Sequence, residues 1–574
     1  MGNYRPARRR YGKTSSTTGT SATTGTSATT GTSAKANGTS AGQANPGAGA
    51  AAVSRDTARR AKPPRPADPR RTAYDVLAAV RDREAYANLL LPKLLTERQL
   101  TGRDAAFATE LTYGTLRGQG TYDAVLAACS DRRLDKLDPP VLDVLRLGTH
   151  QLLNTRVGAH AAVATSVDLA KSVVGPRVSG YVNAVLRRVA LRDQDSWLEI
   201  IAPDPQADRD AYLAVRYSHP KWIVAAYRAA LGDAADLPAL RAAIAPTLLR
   251  ERAAGIVDSS AHGDVRNYPS SASADPDTPV SGGTAFVTGL EAALAAGNAR
   301  PRVTLAAFPA GPPREDVMPA DAEPGHWSPY AFTLRSGNPA PLIESGTAAV
   351  QDEGSQLAAI ALSGAPVTPR VDASAGEPER WLDMCAGPGG KARLLYGLAI
   401  AQGASLTAAE FHPHRAALVA DALTTASKNV AGQPPAFEVL VADAMMPPWP
   451  DGAFDRVLID APCSGLGALR RRPEARWRKS QAGLKELTAL QCDLLRSGLA
   501  AVRPGGVVAY VTCSPVPAET TDVVTSMTGV DILDAPAVLS GVPGASATDP
   551  RFAQLWPHRH GTDAIFIALL RRGT

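Results

Sequence analysis

Two cysteines stand where short apolar runs end. Cys463 lies in Asp460-Ala461-Pro462-Cys463-Ser464, directly after the run 455–460, and Cys513 lies in Thr512-Cys513-Ser514, directly after the run 506–512. A third run, 380–385, leads into Cys385-Ala386-Gly387-Pro388-Gly389-Gly390-Lys391. Its glycines let a ligand approach the backbone and set N–H groups ahead of a helix N-terminus. Such turns serve dinucleotides, phosphates and S-adenosylmethionine alike, so their companions must decide. Glu410 closes the run 405–410, where a carboxylate can accept both hydroxyls of a ribose, and Asp443 follows 437–442, placed for an adenine amino group. No GKS or GKT occurs at this glycine turn, where Ala392 follows Gly390-Lys391, which disfavours a Walker-type NTPase. S-adenosylmethionine is therefore the expected cofactor.

Two thiols beside a methyl donor suggest one chemistry. Carbon 5 of cytosine is too weak a nucleophile to take a methyl group directly from a sulfonium. A thiolate added at carbon 6 turns the ring into an enamine-like species whose carbon 5 can attack. Charge develops at N3 during that addition, and an acid such as Asp460 is placed to neutralise it. The proton on carbon 5 and the thiol must then leave, and a second cysteine can assist.

These residues require elements that bring them to one edge. The runs 380–385, 405–410, 437–442, 455–460 and 506–512 read as five buried strands with helical segments between them, which predicts a parallel doubly wound sheet with ligands at the carboxyl ends of its strands. In the order 3-2-1-4-5 the fourth and fifth strands are neighbours, ~4.8 Å apart, so both thiols should face one cleft. The run 564–570 suits a late antiparallel strand at the sheet edge.

The remaining chain divides by composition. Residues 1–70 are a basic low-complexity segment, with TTGTSA repeated through 17–34, and are expected to be disordered because they have little to bury. Residues 71–193 read as an all-α domain: Ala73, Val76, Leu77 and Val80 form one helical stripe, and Pro139-Pro140 opens another helix through Val141, Leu145 and Leu152. Residues 194–340 read as a linker and small α+β module, with helix from Trp197 to Leu231 broken near 217–224, a flexible insertion at 258–283, and strands at 303–308 and 330–334. Residues 341–574 hold the doubly wound domain.

The strings 110–126 and 180–189 resemble the NusB-like family, a helical bundle that binds RNA or docks proteins. The strings VQDEGSQ (350–356), DMCAGPGGK (383–391), 460–477 and YVTCS (510–514) resemble the Sun/Fmu-type RNA 5-methylcytosine methyltransferases, a family that includes members with a NusB-like domain in front. The resemblance implies an α/β Rossmann-like S-adenosylmethionine-dependent domain acting on RNA, with 16S ribosomal RNA as the expected substrate. It implies Cys513 as nucleophile, Cys463 as the residue that promotes product release, and Cys385–Lys391, Glu410, Asp443 and Asp460 as the cofactor site. Asp460 is thus claimed for both cofactor and cytosine N3. The chain departs from the family pattern at 246–255, which lacks a Leu-Arg-Val-Asn ending, and in its long insertion. Transfer RNA, another ribosomal site, and a non-catalytic NusB-like assembly factor remain alternatives. Amino-group methylation is disfavoured, because Asp460-Ala-Pro-Cys463 replaces the expected acid or amide followed by Pro-Pro-aromatic.

The 574 residues are 44% hydrophobic, enough for two or three cores, with 61 Lys plus Arg against 55 Asp plus Glu, or +6. Residues 1–71 alone carry +11, so the rest carries −5. The basic tail is expected to add salt-sensitive RNA affinity at most. Within the acidic body, Arg470, Arg471, Arg472, Arg476, Arg478 and Lys479 follow Cys463 closely and would set positive charge beside the cleft for an RNA backbone. Trp477 either stacks on a base or packs. Cys129 and Cys492 read as core, and Cys385 as part of the cofactor wall. The pairs His412/His414 and His558/His560 read as exposed surface without a third ligand, so no metal is expected. Five unpaired cysteines and no ~20-residue apolar span predict a soluble, cytoplasmic protein, and a monomer is expected.

Overall fold

The computed structural model describes residues 68–232, 289–370, 377–432 and 437–573. The tail up to residue 67 and the 258–283 insertion lie outside the described residues.

Proline and capping residues start the helical bundle. The Asp68 side chain accepts from the Arg70 N–H (2.9 Å) and Pro69 occupies the first position of helix Pro69–Asp82. Ala73, Val76 and Leu77 are buried on its inner face. Helices Ala87–Glu97, Gly102–Cys129, Pro139–Asn154, Ala159–Val173 and Ser179–Val189 complete the bundle around Leu111, Val125, Val144, Leu145 and Leu186.

The middle of the chain shares a core with its C-terminal part. Helices Arg209–Arg216, Lys221–Ala230 and Gly289–Ala296 pack Leu213, Ile223 and Leu294 into one cluster with Leu466, Leu469, Val516 and Trp556. The small module is an antiparallel sheet of β1 (Val303–Ala307), β2 (Glu323–Pro324), β3 (Ala331–Leu334) and β4 (Ala348–Val350), in the order β2-β3-β1-β4.

The large sheet contains β5 (Arg380–Asp383), β6 (Ser405–Glu410), β7 (Phe437–Val441), β8 (Phe454–Asp460), β9 (Val502–Thr512), β10 (Val530–Leu533), β11 (Ala553–Gln554) and β12 (Phe566–Arg572). Its order is β10-β12-β9-β8-β5-β6-β7, with β11 paired to β12. The five parallel strands thus adopt the predicted 3-2-1-4-5 order. Their alternation divides the core. Trp381 and Leu458 face a layer with Leu357, Leu394 and Leu423, whereas Leu382, Val457 and Ile459 face Leu494 and Leu495 of helix Leu484–Ala501. One expectation fails: β12 is antiparallel to β9 but is not an edge, because β10 pairs along its outer side. The short run 530–533 carries too little pattern to announce a strand.

Candidate active site

β5 delivers Asp383 to the carboxyl edge of the sheet, and the glycine turn comes directly after it. Gly389 has φ +109° and caps helix Gly390–Ala401. A Cβ on Gly387 would lie 2.3 Å from Glu410 Oε2, so only glycine admits this approach. The Gly387 N–H donates to that oxygen (3.1 Å), and Glu410 Oε1 accepts from the His412 N–H (3.0 Å) and pairs with Arg415 (3.3 Å). Asp443 accepts from the Met445 N–H (2.9 Å) in the loop after β7. Cys385 is partly exposed, and burial of its sulfur, then the Asp383 carboxylate, push its thiol far up.

Asp383 itself is not among the residues expected from the sequence, although an acid ending a buried strand was the available signal. It is wholly buried, and among the described residues no group completes a well-formed hydrogen bond to either carboxylate oxygen. Burial, then the Asp460 carboxylate, push it up to about 7, with Lys391 and the Cys385 N–H pulling the other way. A buried acid with spare acceptors, a close-approach glycine turn and a strand-end glutamate fit a nucleoside ligand that carries positive charge.

β8 and β9 bring the other groups together. Lys391 Nζ donates to Asp460 Oδ2 (2.9 Å) and to Ser355 Oγ (3.3 Å) of helix Glu353–Gly364. Burial pulls the Lys391 ammonium down, but Asp460 more than restores it. Cys463 Sγ lies 3.2 Å from Cys513 Sγ. The hydrogen bond from Cys463, then the Lys391 and Arg472 charges, hold the Cys513 thiol below its ordinary range against burial and Asp460. The same contact, with burial, pushes Cys463 well up. One thiol is thus disposed to be thiolate and the other to keep its proton.

Glu519 fixes this pair and also escaped the sequence reading, since a lone glutamate after a proline-containing turn carries no signature. It is fully buried and accepts from the Ser464 N–H (2.7 Å), Ser464 Oγ (2.5 Å), Ser514 Oγ (2.6 Å) and Gln491 Nε2 (3.2 Å). The loops after both cysteines are tied to one carboxylate. Gly467 completes the join: its N–H donates to Cys513 O (2.8 Å), and a Cβ there would meet Ala564 O at 2.0 Å.

Residues 374–571 match the model of the 16S rRNA methyltransferase RsmB/F family, and residues 67–191 match that of the NusB family. A putative methyltransferase of Mycobacterium tuberculosis (strain H37Rv) is 44% identical over 517 residues, spanning 89% of this chain and 98% of its own. The chain belongs to the 16S rRNA methyltransferase RsmB/F family. The ribosomal RNA small subunit methyltransferase B of Pseudomonas syringae pv. tomato is 29% identical over 510 residues, covering 88% of this chain and 96% of its own. In three dimensions the crystal structure of PH0851 is similar with a TM-score of 0.62 and 19% identity, covering 88% of this chain and 99% of that one, which establishes the shared fold. This RsmB/F-family methyltransferase therefore has a NusB-like bundle joined to a Rossmann-like domain.

Within the RsmB/F chain the arginine run corrects the sequence reading. Arg470 and Arg471 both bind Asp352 (2.8 and 2.7 Å) and Asp563 (2.6 and 3.0 Å). Arg476 is fully buried and donates to Ser218 O (2.9 Å), Asn298 Oδ1 (2.7 Å) and Gly297 O (3.2 Å). Arg478 donates to the Val80, Glu84 and Ala85 carbonyls of the bundle. Four of the six cations are thus internal fasteners, because a guanidinium offers five donors to buried carbonyls and carboxylates. Arg472 is exposed and Lys479 partly so. Trp477 packs on Gly120 of the bundle, where a Cβ would come within 2.6 Å of its ring.

The histidine reading also needs correction. His412 and His414 are exposed, but His560 is buried and its Nδ1 accepts from the Trp556 N–H (2.9 Å). Burial pulls the neighbouring His558 down to about 4. Cys129 and Cys492 are buried among apolar side chains, as expected. Among the described residues no helix is long and apolar enough to cross a membrane.

Proposed function

We propose that the protein is an S-adenosylmethionine-dependent RNA cytosine C5 methyltransferase whose substrate is 16S ribosomal RNA. The observation that carries this reading is the 3.2 Å contact between Cys463 and Cys513 at the ends of adjacent strands, beside the Lys391–Asp460 pair. Adjacent thiols with opposed protonation preferences suit a reaction in which one adds to the ring and the other handles departure of the product.

Cys385–Lys391, Glu410, Asp443 and Asp460 would hold the cofactor, and the buried Asp383 carboxylate would supply a counter-charge. S-adenosylmethionine, when bound, supplies the electrophilic methyl group. Cys513 adds its sulfur to carbon 6 of cytosine, and the pair Lys391–Asp460 stands where a proton can be given to N3 as electron density moves there. After carbon 5 has taken the methyl group, a water accepts the carbon 5 proton, the Cys513–carbon 6 bond breaks with its electron pair on sulfur, and N3 gives its proton back to the Lys391–Asp460 pair. Cys463 keeps its proton throughout and hydrogen-bonds to the departing Cys513 sulfur, which stabilises the thiolate as it leaves. Glu519 keeps both loops in register throughout, which lowers the cost of assembling the reacting geometry.

The test is methyl transfer from labelled cofactor to unmodified 16S ribosomal RNA, followed by bisulfite mapping of RNA from cells with and without the gene. Label at a cytosine carbon 5 of 16S RNA is the expected result. Label on transfer RNA alone would reassign the substrate, and label on an exocyclic nitrogen would reject the thiol mechanism.

A further inference from the structure

The turn joining the first two bundle helices lies against the segment that leaves Cys463. At this turn Tyr86 is 48% exposed, and two guanidiniums stand over its ring, Arg472 at 5.4 Å and Arg478 at 5.5 Å from its centroid. The turn is fastened to the catalytic domain. Arg478 donates to Val80 O (2.9 Å), Glu84 O (3.0 Å) and Ala85 O (2.6 Å), and Glu474 Oε1 accepts from the Ala87 N–H (3.3 Å). These bonds fix the backbone of the turn and so present the Tyr86 side chain beside the segment that leaves Cys463.

The two cations differ in what they have left to offer. Arg478 spends its donors on the turn. Arg472 is exposed, and among the described residues no carboxylate lies within ion-pair distance of it, so its donors face solvent. It is also near enough to the cysteines for its charge to act on Cys513. Leu89, three residues beyond Tyr86, is 60% exposed and extends the apolar surface. A large aromatic face, an unpaired guanidinium and a nucleophile in close succession match an unstacked stretch of RNA: a base for the ring, a phosphate for the cation and the target base for the thiol.

We infer that Tyr86 and Arg472 form a platform for the nucleotide next to the target cytosine, with Tyr86 stacking on its base and Arg472 binding its phosphate. The inference rests on the reading of the protein as an RNA methyltransferase. It assigns the helical bundle a direct part in substrate recognition: a thiol can reach carbon 6 only of a base taken out of its stack, and the neighbouring base then needs a new stacking partner.

The experiment uses full-length protein and an unmodified 16S ribosomal RNA transcript. Tyr86→Ala should weaken RNA binding roughly tenfold, the lower range of a lost aromatic–base stack, while Tyr86→Phe stays near wild type and S-adenosylmethionine affinity is unchanged in both. Arg472→Gln should weaken binding and reduce the slope of log Kd against log salt by about one. Ultraviolet cross-linking of the unaltered protein, which does not depend on a variant folding, should join a nucleotide to the peptide containing Tyr86. Wild-type binding by Tyr86→Ala, or absence of that cross-link while Cys463→Ala still traps the transcript, overturns the inference. If the wild type transfers no methyl group to any RNA and Cys463→Ala traps none, the methyltransferase reading itself fails and the platform fails with it.

Discussion

Cys463 Sγ and Cys513 Sγ lie 3.2 Å apart although 50 residues separate them in the chain. Their contact is unequal: the hydrogen bond from Cys463, then the Lys391 and Arg472 charges, favours the Cys513 thiolate against burial and Asp460, and the same contact pushes Cys463 up. The roles should therefore separate on substitution. Cys513→Ala is expected to abolish both methyl transfer and covalent attachment to RNA, whereas Cys463→Ala should accumulate a protein–RNA adduct that survives denaturant. Gel analysis of both variants with 16S RNA and cofactor decides it, and an adduct formed by Cys513→Ala alone would exchange the assignments.

The depressed Cys513 thiol has a direct pH signature. Its thiolate is favoured, so alkylation at Cys513 should reach its half-maximal rate at a lower pH than at an unperturbed thiol. Cys463→Ala removes the largest stabilising contact and should move the alkylation midpoint upward. Lys391→Met should move it in the same direction. The rate of iodoacetamide labelling against pH, read at the Cys513 peptide, measures both; a midpoint unmoved in Cys463→Ala would show that the thiol contact does not stabilise the thiolate.

Glu519 offers a test of positioning. Glu519→Ala leaves the Ser464 N–H and the Ser464 and Ser514 hydroxyls without their acceptor, at ~1–3 kcal/mol for each buried group that finds no substitute. A loss of about 3 kcal/mol in urea unfolding is expected on that basis, with kcat reduced at least tenfold and cofactor affinity little changed. Glu519→Gln keeps an acceptor and should recover part of the stability. Full kcat in Glu519→Ala would mean the two loops hold their register without it.

Asp383 predicts a pH dependence of stability. Its folded-state value of about 7 lies above the ordinary 3.8, so between those values the folded chain keeps a proton that the unfolded chain releases. Raising the pH through about 4 to 7 therefore removes stability, and the cost is complete above 7, on the order of 4 kcal/mol by linkage. Asp383→Asn should be more stable than wild type at pH 8, and the difference should vanish below pH 4. Denaturant midpoints at the two pH values check the sign. The same variant should bind S-adenosylmethionine more weakly, since a positively charged ligand loses its buried counter-charge.

Much of the catalytic domain was legible in the amino-acid order because its signals are local. A buried parallel strand is a short apolar run, and a glycine turn after it constrains the backbone whatever lies elsewhere. Those two facts located Cys385–Lys391, Glu410, Asp460, Cys463 and Cys513 at one sheet edge. β10 escaped because four residues at the rim need little apolar pattern. Asp383 and Glu519 escaped for a different reason: an acid becomes informative only once its burial and its donors are known, and both depend on residues distant in sequence.

Residue types and their order determined the fold class, the strand-end thiols and the chemistry those thiols suggest, because each follows from periodicity and side-chain reactivity within a few positions. Tertiary structure alone decided what the charges do. Arg470, Arg471, Arg476 and Arg478 read as a single basic patch in the sequence, yet Asp352, Asp563 and carbonyls of the helices arrive from elsewhere to bind them. Charge acts through space, and the partner that neutralises an arginine or leaves Arg472 free is chosen by packing, not by neighbours along the chain.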